Sequence, residues 1–234
     1  MDTILEFAKG PLFRFSLAIM VLGLARVLFL ALYGIVKSYF QAGDKDVPTG
    51  TILRRTLGWI IPHQHALRSR PIFSVISILF HIGLLAAPLF LYAHIELLRK
   101  DLGFGWPALP KLLADIFTIL TAVTAILLIG FRALDSTVRA LSRAGDYFWL
   151  VLLAIPFISG FLCIHTTLNP ISYKAMLLIH ILSGELIFVL IPFTKISHCV
   201  LFPFTQMISD LGWRFPAGSG KKVEATLGNK GVSQ

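Results

Sequence analysis

The chain has 234 residues, of which 56% are hydrophobic and only 14% are charged. A water-soluble domain usually carries about 25% charged residues, so this composition excludes an ordinary soluble globular protein. The formal net charge of +9 does not indicate nucleic-acid binding, because Lys and Arg lie between long apolar runs and at their ends, and no basic segment is interleaved with aromatic residues. That distribution is typical of membrane topology signals and of contact with anionic headgroups.

Five apolar runs reach the length of about 20 residues that spans a bilayer core. In lipid every backbone polar group must be satisfied within its own segment, so such runs must be helices. The first run is too long and continuous for a signal peptide and is expected to be retained as the first helix. The predicted spans are 11–36, 71–98, 112–131, 147–165 and 172–201.

The sequence therefore predicts an all-α integral membrane protein with a bundle of five transmembrane helices in residues 1–205. Between the first two spans, residues 51–61 are expected to form a short interfacial helix. Residues 206–234 are expected to form a partly disordered tail, because their end is rich in Gly, Ser and Lys.

The distribution of Lys and Arg predicts the orientation of the bundle. Thirteen of them lie in segments 41–70, 132–146 and 195–234, against six on the opposite face. The positive-inside rule then places these three segments, and the C-terminus, in the cytoplasm and the N-terminus outside. The chain has no internal repeat, so a two-fold transporter architecture has no support. Its two cysteines, Cys163 and Cys199, form no CxxC motif, which argues against iron–sulfur ligation or covalent haem attachment by this chain.

Histidines are the chemically informative residues, and five of the seven lie in or at the edge of spans, where a polar side chain is costly and usually functional. His180 and His198 are 18 residues apart in the predicted fifth helix. That spacing is five whole turns, so both would share one face about 27 Å apart. The pattern favours two stacked haems that carry electrons across the bilayer, and the alternative is two unrelated interfacial histidines.

The second span adds His81 and His94. Because it runs antiparallel to the fifth, His81 is expected to be level with His198 and His94 level with His180, which gives two bis-histidine sites. The 13-residue spacing leaves His94 about 140° around an ideal helix from His81. Ligation by His94 then requires a kink at Pro88, and His165 is the alternative ligand. The remaining two histidines, His63 and His65, are expected to be solvated or to face a partner.

Ligating imidazoles need an acceptor for their second ring nitrogen. Glu185, Ser183, Ser77 or backbone carbonyls are candidates for this role. Haem propionates also need cationic partners, and the candidates are Arg26, Lys195, Arg139 and Arg143. The last two are individually better explained as interfacial anchors.

The segment from Leu178 to His198 resembles the last helix of the nitrate reductase gamma subunit family. It has the same order of His180, Gly184, Pro192-Phe193-Thr194-Lys195 and His198. The segment Phe80-His81-Ile82-Gly83 resembles the ligand motif of the family's second helix, and residues 132–146 resemble its loop between helices three and four. The resemblance covers about residues 11–205. It implies two haems b, an inner one held by His81 and His198 and an outer one held by His94 and His180.

One position departs from the family pattern. The second ligand of helix two follows ten residues after the first, where this chain has Leu91, and His94 comes three residues later. This variant resembles the cytochrome b subunits of transmembrane redox complexes in sulfate-reducing bacteria, such as the high-molecular-mass cytochrome c complex.

That resemblance implies an electron-transfer subunit of a quinone-linked oxidoreductase complex in the bacterial inner membrane, rather than a stand-alone enzyme. The implied partners are a cytoplasmic-side iron–sulfur subunit, other membrane subunits and a periplasmic multihaem cytochrome c. Menaquinone is a candidate ligand near Lys111. The equal alternative is that Lys111 only anchors the chain at the lipid headgroups. Two other classes remain open: a structural membrane anchor without haem, and a proton-conducting transporter that uses Glu185 and Asp115.

Overall fold

A computed structural model of the chain describes residues 1–43, 49–60, 70–212 and 218–228. The regular elements in these ranges are helices, without a β-strand. They are α1 (Asp2–Gln41), α2 (Thr49–Ile60), α3 (Pro71–Phe90), α4 (Tyr92–Leu102), α5 (Lys111–Leu134), α6 (Ser136–Leu141), α7 (Ala144–Ile164), α8 (Tyr173–Leu190), α9 (His198–Gly212) and α10 (Ser219–Leu227).

Five helices in the described ranges are long and apolar enough to cross a membrane: α1, α3, α5, α7, and α8 with the 3-10 turn that follows it to Phe193. This confirms the predicted all-helical class and the number of helices that could span a membrane. Many of their large side chains are exposed, among them Val123, Ile126 and Leu127 on α5. Such surfaces suit contact with lipid, which is as apolar as these side chains. The sidedness of the termini stays a prediction.

The chain divides into two compact units, one formed by Met1–Leu17 and Pro62–Val189 and the other by Ala18–Ile61 and Leu190–Gln234. In the first unit α5 packs between α3 and α7. The centre of this packing is a cluster formed by Phe80, Ala125, Leu128, Leu150 and Ala154.

Small residues let the helices of this core approach closely, as they do in other membrane bundles. Gly83 on α3 lies so near α5 that an added Cβ would come within 2.9 Å of the Phe117 carbonyl oxygen. Thr121 packs at the same point, and its hydroxyl donates to that carbonyl at 2.7 Å. The hydroxyl is thus satisfied within its own helix, as lipid requires.

Ion pairs join helix ends within the first unit. The Arg14 guanidinium donates to both carboxylate oxygens of Asp101, at 2.8 to 3.2 Å, and links α1 to α4. The Lys174 ammonium donates to Asp2 at 2.9 Å and links the start of α8 to the start of α1.

The first helix begins earlier than the sequence predicts. Helix α1 starts at Asp2 rather than at Pro11, and Pro11 lies inside a π-helical turn over Ala8–Leu12. Proline has no N–H and its ring crowds the carbonyl four residues back, so a wider turn lets the helix continue past it.

The predicted fifth helix over 172–201 is not continuous. Helix α8 ends at Leu190, two 3-10 turns follow, and Thr194 between them is extended, with φ −131° and ψ 176°. Pro192 at the break cannot donate a helical hydrogen bond. The prediction that His180 and His198 lie five whole turns apart on one continuous helix is therefore wrong.

In the second unit α2 packs with α9, and Gly23 of α1 lies against Pro192. The predicted helix over 51–61 is present as Thr49–Ile60, and its interfacial position stays a prediction. The tail contains the end of α9 and helix α10. His63 and His65 lie outside the described residues.

Candidate functional site

The predicted second span is two helices, because α3 ends at Phe90 and Leu91 is extended, with φ −74° and ψ 127°. The end of α3 leaves carbonyls without helical partners. Three consecutive carbonyls of this end form hydrogen bonds with groups outside α3. The Leu109 N–H donates to the Phe90 carbonyl at 2.9 Å, the Trp106 indole donates to that of Leu89 at 2.7 Å, and the His94 ring bonds that of Pro88 at 3.1 Å.

This break decides where His94 lies. On one ideal helix, His94 would stand far around the axis from His81. Because α4 is a new helix, His94 instead faces His180 of α8, with ring centroids 5.8 Å apart and planes only 9° from parallel. The prediction that His94 and His180 lie level is confirmed within the first unit, by a break at Leu91 rather than by a kink at Pro88 alone.

A contact with α7 positions the His180 ring. Its Nδ1 bonds the Pro156 carbonyl oxygen at 2.8 Å. The ring also lies directly against Gly160, where an added Cβ would come within 2.8 Å of Cε1 and 3.0 Å of Nδ1. Any larger residue at position 160 would push the imidazole out of place.

The four predicted ligands share one hydrogen-bond pattern. The Nδ1 atoms of His81, His94, His180 and His198 lie 2.6, 3.1, 2.8 and 2.7 Å from the backbone carbonyl oxygens of Ser77, Pro88, Pro156 and Lys195. A carbonyl only accepts, so Nδ1 must carry the proton. In a neutral imidazole Nε2 then keeps its lone pair, which is the form that binds metals.

Backbone carbonyls therefore take the orienting role for which Glu185 and Ser183 were also candidates. The Ser183 hydroxyl donates to the His180 carbonyl oxygen at 3.0 Å and not to a ring. Glu185 is only 5% exposed, and neither of its carboxyl oxygens has a hydrogen-bond partner among the described residues.

His165, the alternative ligand, has different surroundings. Its Nε2 lies 3.4 Å from a carboxylate oxygen of Asp115 on α5, and its ring packs on Phe161 at 4.2 Å between centroids. Its Nε2 thus faces a carboxylate rather than another imidazole. The geometry favours His94 over His165 as the partner of His180.

The other predicted site residues lie as follows. His81 is exposed on α3 in the first unit, and His198 is exposed at the start of α9 in the second.

Arg26 and Lys195 are exposed and belong to the second unit, and Lys111 is exposed at the first position of α5. The Arg139 guanidinium donates to the Ala133 carbonyl oxygen, and the Arg143 backbone N–H donates to the Asp146 carboxylate. Their roles as interfacial anchors or propionate partners stay predictions.

The His94 and His180 rings are stacked, with centroids 5.8 Å apart and nearly parallel planes, so α4 and α8 bring two imidazoles together. No cluster of three or more His, Cys, Asp or Glu side chains suited to a metal occurs in the described ranges. A haem needs only two protein ligands, so a site for it requires no such cluster.

Sequence reasoning missed several residues that build this site. Gly160 and Pro156 carry no signal of their own, because both types are common in membrane helices for packing reasons. The sequence around Trp106 indicates only an aromatic residue at the membrane interface. Asp115 entered only as part of a proton path, and its pairing with His165 across α5 and α7 requires the fold.

Comparison with known proteins gives one informative relative. A protein of Nitratidesulfovibrio vulgaris (strain Hildenborough), whose name states no function, is 41% identical over 152 residues, which is 64% of this chain. The alignment covers 66% of that protein's length. No family model matches the chain, and no solved structure matches it.

Proposed function

We propose that this chain is a di-haem b membrane subunit of a respiratory redox complex. The observation that carries the proposal is the shared orientation of four histidines, each with Nδ1 on a backbone carbonyl. Metal-bound histidines regularly donate their second ring nitrogen in this way. The proximity of His94 and His180, whose ring centroids are 5.8 Å apart, adds a pair of imidazoles that could hold one haem.

In this proposal His94 and His180 hold the outer haem, and His81 and His198 hold the inner one. When bound, each haem supplies reversible one-electron chemistry at its iron. The residues of this chain supply neutral imidazoles and fix their ring planes through backbone carbonyls. Arg26 and Lys195 are the proposed cationic partners of the inner haem's propionates.

The chain's own contribution is therefore to hold and tune the haems rather than to make covalent bonds. Electrons pass between a quinol or a periplasmic multihaem cytochrome c on the outer side and an iron–sulfur subunit on the cytoplasmic side. The N-terminus faces outside and the C-terminus faces the cytoplasm of a bacterium, with other membrane subunits alongside. The resemblance to the nitrate reductase gamma subunit family, and the positive-inside distribution of Lys and Arg, support this arrangement.

The test is the reduced-minus-oxidised absorbance spectrum of the purified chain, combined with a protein assay. The proposal predicts a haem b spectrum with two haems per chain. A chain expressed with an adequate haem supply that contains none would overturn it and favour a structural membrane anchor.

A further inference from the structure

Glu185 is a buried carboxyl group to which the proposed haem sites assign no role. Only 5% of its surface is exposed, and neither carboxyl oxygen has a hydrogen-bond partner among the described residues. The hydroxyl of Ser183, two residues before it, donates to the His180 carbonyl oxygen instead. An ionised carboxylate without a partner is very costly inside an apolar bundle, so Glu185 carries its proton in the chain by itself.

Helix α8 contacts three helices of the first unit, and none of their charged groups bonds Glu185 in the ranges that the structure describes. Phe188 packs on Phe13 of α1 with ring centroids 6.2 Å apart, and His180 contacts His94 of α4 and Pro156 of α7.

Most charged groups of these helices have other partners. Arg14 pairs with Asp101, Lys174 with Asp2 and Arg99 with Glu96, and Asp146 accepts from the Arg143 backbone N–H. The other charged or titratable side chains of α1, α4, α7 and α8 in this unit are Glu6, Lys9, Tyr92, His94, Lys100, Tyr147, Cys163, Tyr173 and His180.

Glu185 lies close to the proposed outer haem along α8. It follows His180 by five residues, which corresponds to a rise of about 7.5 Å. A positive charge on iron bound to His180 would therefore act on this carboxyl at a distance on the order of 10 Å. Two unit charges at that distance in a protein interior change each other's equilibrium by about tenfold. His94 and His180 are neutral ligands, so neither of them offsets that charge.

We propose that Glu185 is the redox-linked proton-binding site of the outer haem. The inference rests on the proposed function, because it needs iron bound to His180. Glu185 keeps its proton while that iron is ferrous. When one electron leaves to a one-electron acceptor, the O–H bond of Glu185 breaks and one proton is released to water. The carboxylate then offsets the ferric charge, so the net charge of the buried site is equal in both states, and reduction reverses the step.

The test is a spectroscopic redox titration of the full chain in detergent between pH 6 and pH 9. The outer haem is identified as the signal that His94→Ala loses. In wild type the ferric-to-ferrous ratio of this haem at a fixed potential should rise by up to about tenfold per pH unit, a shift of about 59 mV. Glu185→Gln is similar in size but cannot release a proton, so its ratio should rise by less than about twofold per pH unit. The inner haem should titrate identically in both proteins.

Two further variants and one further measurement separate proton release from a merely structural role. Glu185→Asp keeps an ionisable group and should retain the pH dependence. Thr124→Val removes another buried polar group of the first unit, 3% exposed, and should behave as wild type. Infrared difference spectra of wild type should show the C=O stretch of a protonated carboxyl in the ferrous state and its loss on oxidation. That change should be absent from Glu185→Gln.

The results distinguish this inference from the proposed function. Wild-type pH dependence in Glu185→Gln would overturn it, as would a wild-type outer haem whose potential does not change with pH. Either result in a chain with two haems would leave the haem proposal intact. If Glu185→Gln binds no haem, the infrared spectrum of wild type decides, and no change in a carboxyl C=O stretch on oxidation would overturn the inference. A wild-type chain without haem would overturn the proposed function and this inference with it.

Discussion

At the scale of single residues, the central feature is the control of imidazole orientation by backbone carbonyls. A carbonyl freed by a helix end holds His94, and the carbonyl of Pro156 on a neighbouring helix holds His180. The sequence shows that histidines are present in the spans. It does not show which ring nitrogen each presents, because that depends on carbonyls supplied by the fold.

Gly160 tests whether the position of the His180 ring matters. Gly160→Ala places a methyl group about 2.8 Å from the ring and must displace it. We expect the haem content to fall from two per chain towards one, measured by absorbance and protein assay. Gly130→Ala is the matched control, because nothing lies within 4 Å of its Cβ position. Two haems in Gly160→Ala would show that the ring position is not critical.

Asp135, which lies outside the membrane spans, is expected to make a pH-dependent contribution to stability. The N–H groups of Val138 and Thr137, together with the Arg70 guanidinium at 2.9 Å, hold the pKa of this carboxyl below its usual 3.8. The stabilisation is complete above the unfolded-state pKa and is lost as pH falls through the lower folded-state pKa. Asp135→Asn should therefore melt below wild type at pH 7, and the difference should shrink towards pH 3.

Asn keeps the helix cap that Asp135 provides to α6, so Asp135→Asn removes mainly the charge opposite Arg70. Asp135→Ala loses both the cap and the ion pair and should melt lower still at pH 7. Thermal denaturation in detergent measures both variants. Equal melting temperatures for wild type and Asp135→Asn at pH 7 would show that the ion pair contributes nothing.

At the scale of helices, apolar length was enough to predict five helices that could span a membrane, since a helix lets a single apolar segment satisfy its own backbone in lipid. It was not enough to predict the two breaks. The break at Leu91 depends on donors from the loop that contains Trp106 and Leu109, and a hydropathy pattern contains no information about them. The break at Thr194 in the fifth span was not predicted either, because Pro192 in the sequence does not indicate where the helix ends and resumes.

Close packing of α3 on α5 is a second helix-scale feature, and Gly83 tests it. In Gly83→Ala the new methyl group would press on the Phe117 carbonyl and on Thr121. Overpacking of this kind costs about 1–3 kcal/mol, so the melting temperature should fall. Gly130→Ala should leave it unchanged or raise it, because alanine is the better helix former. A fall of equal size in both variants would contradict the packing argument.

At the scale of the whole molecule, the predicted orientation follows from the distribution of Lys and Arg. A green fluorescent protein fused to the C-terminus should fluoresce, because it folds in the cytoplasm, and alkaline phosphatase inserted at Gly105 should be active outside. The opposite pattern would show that the chain has the reverse orientation, with the His94–His180 pair on the cytoplasmic side. The sequence is enough to predict an orientation, because the distribution of Lys and Arg and the resemblance describe whole segments and do not depend on individual contacts.

The proposed di-haem function depends most on the pairing of His94 with His180 in one haem site. The most direct test is the haem content, with the electron paramagnetic resonance spectrum, of His94→Ala, His180→Ala and His165→Ala. We expect the first two variants each to lose the same one of two low-spin haem signals and to keep the other, while His165→Ala keeps both. Two haems retained in His94→Ala, or one lost in His165→Ala, would contradict it.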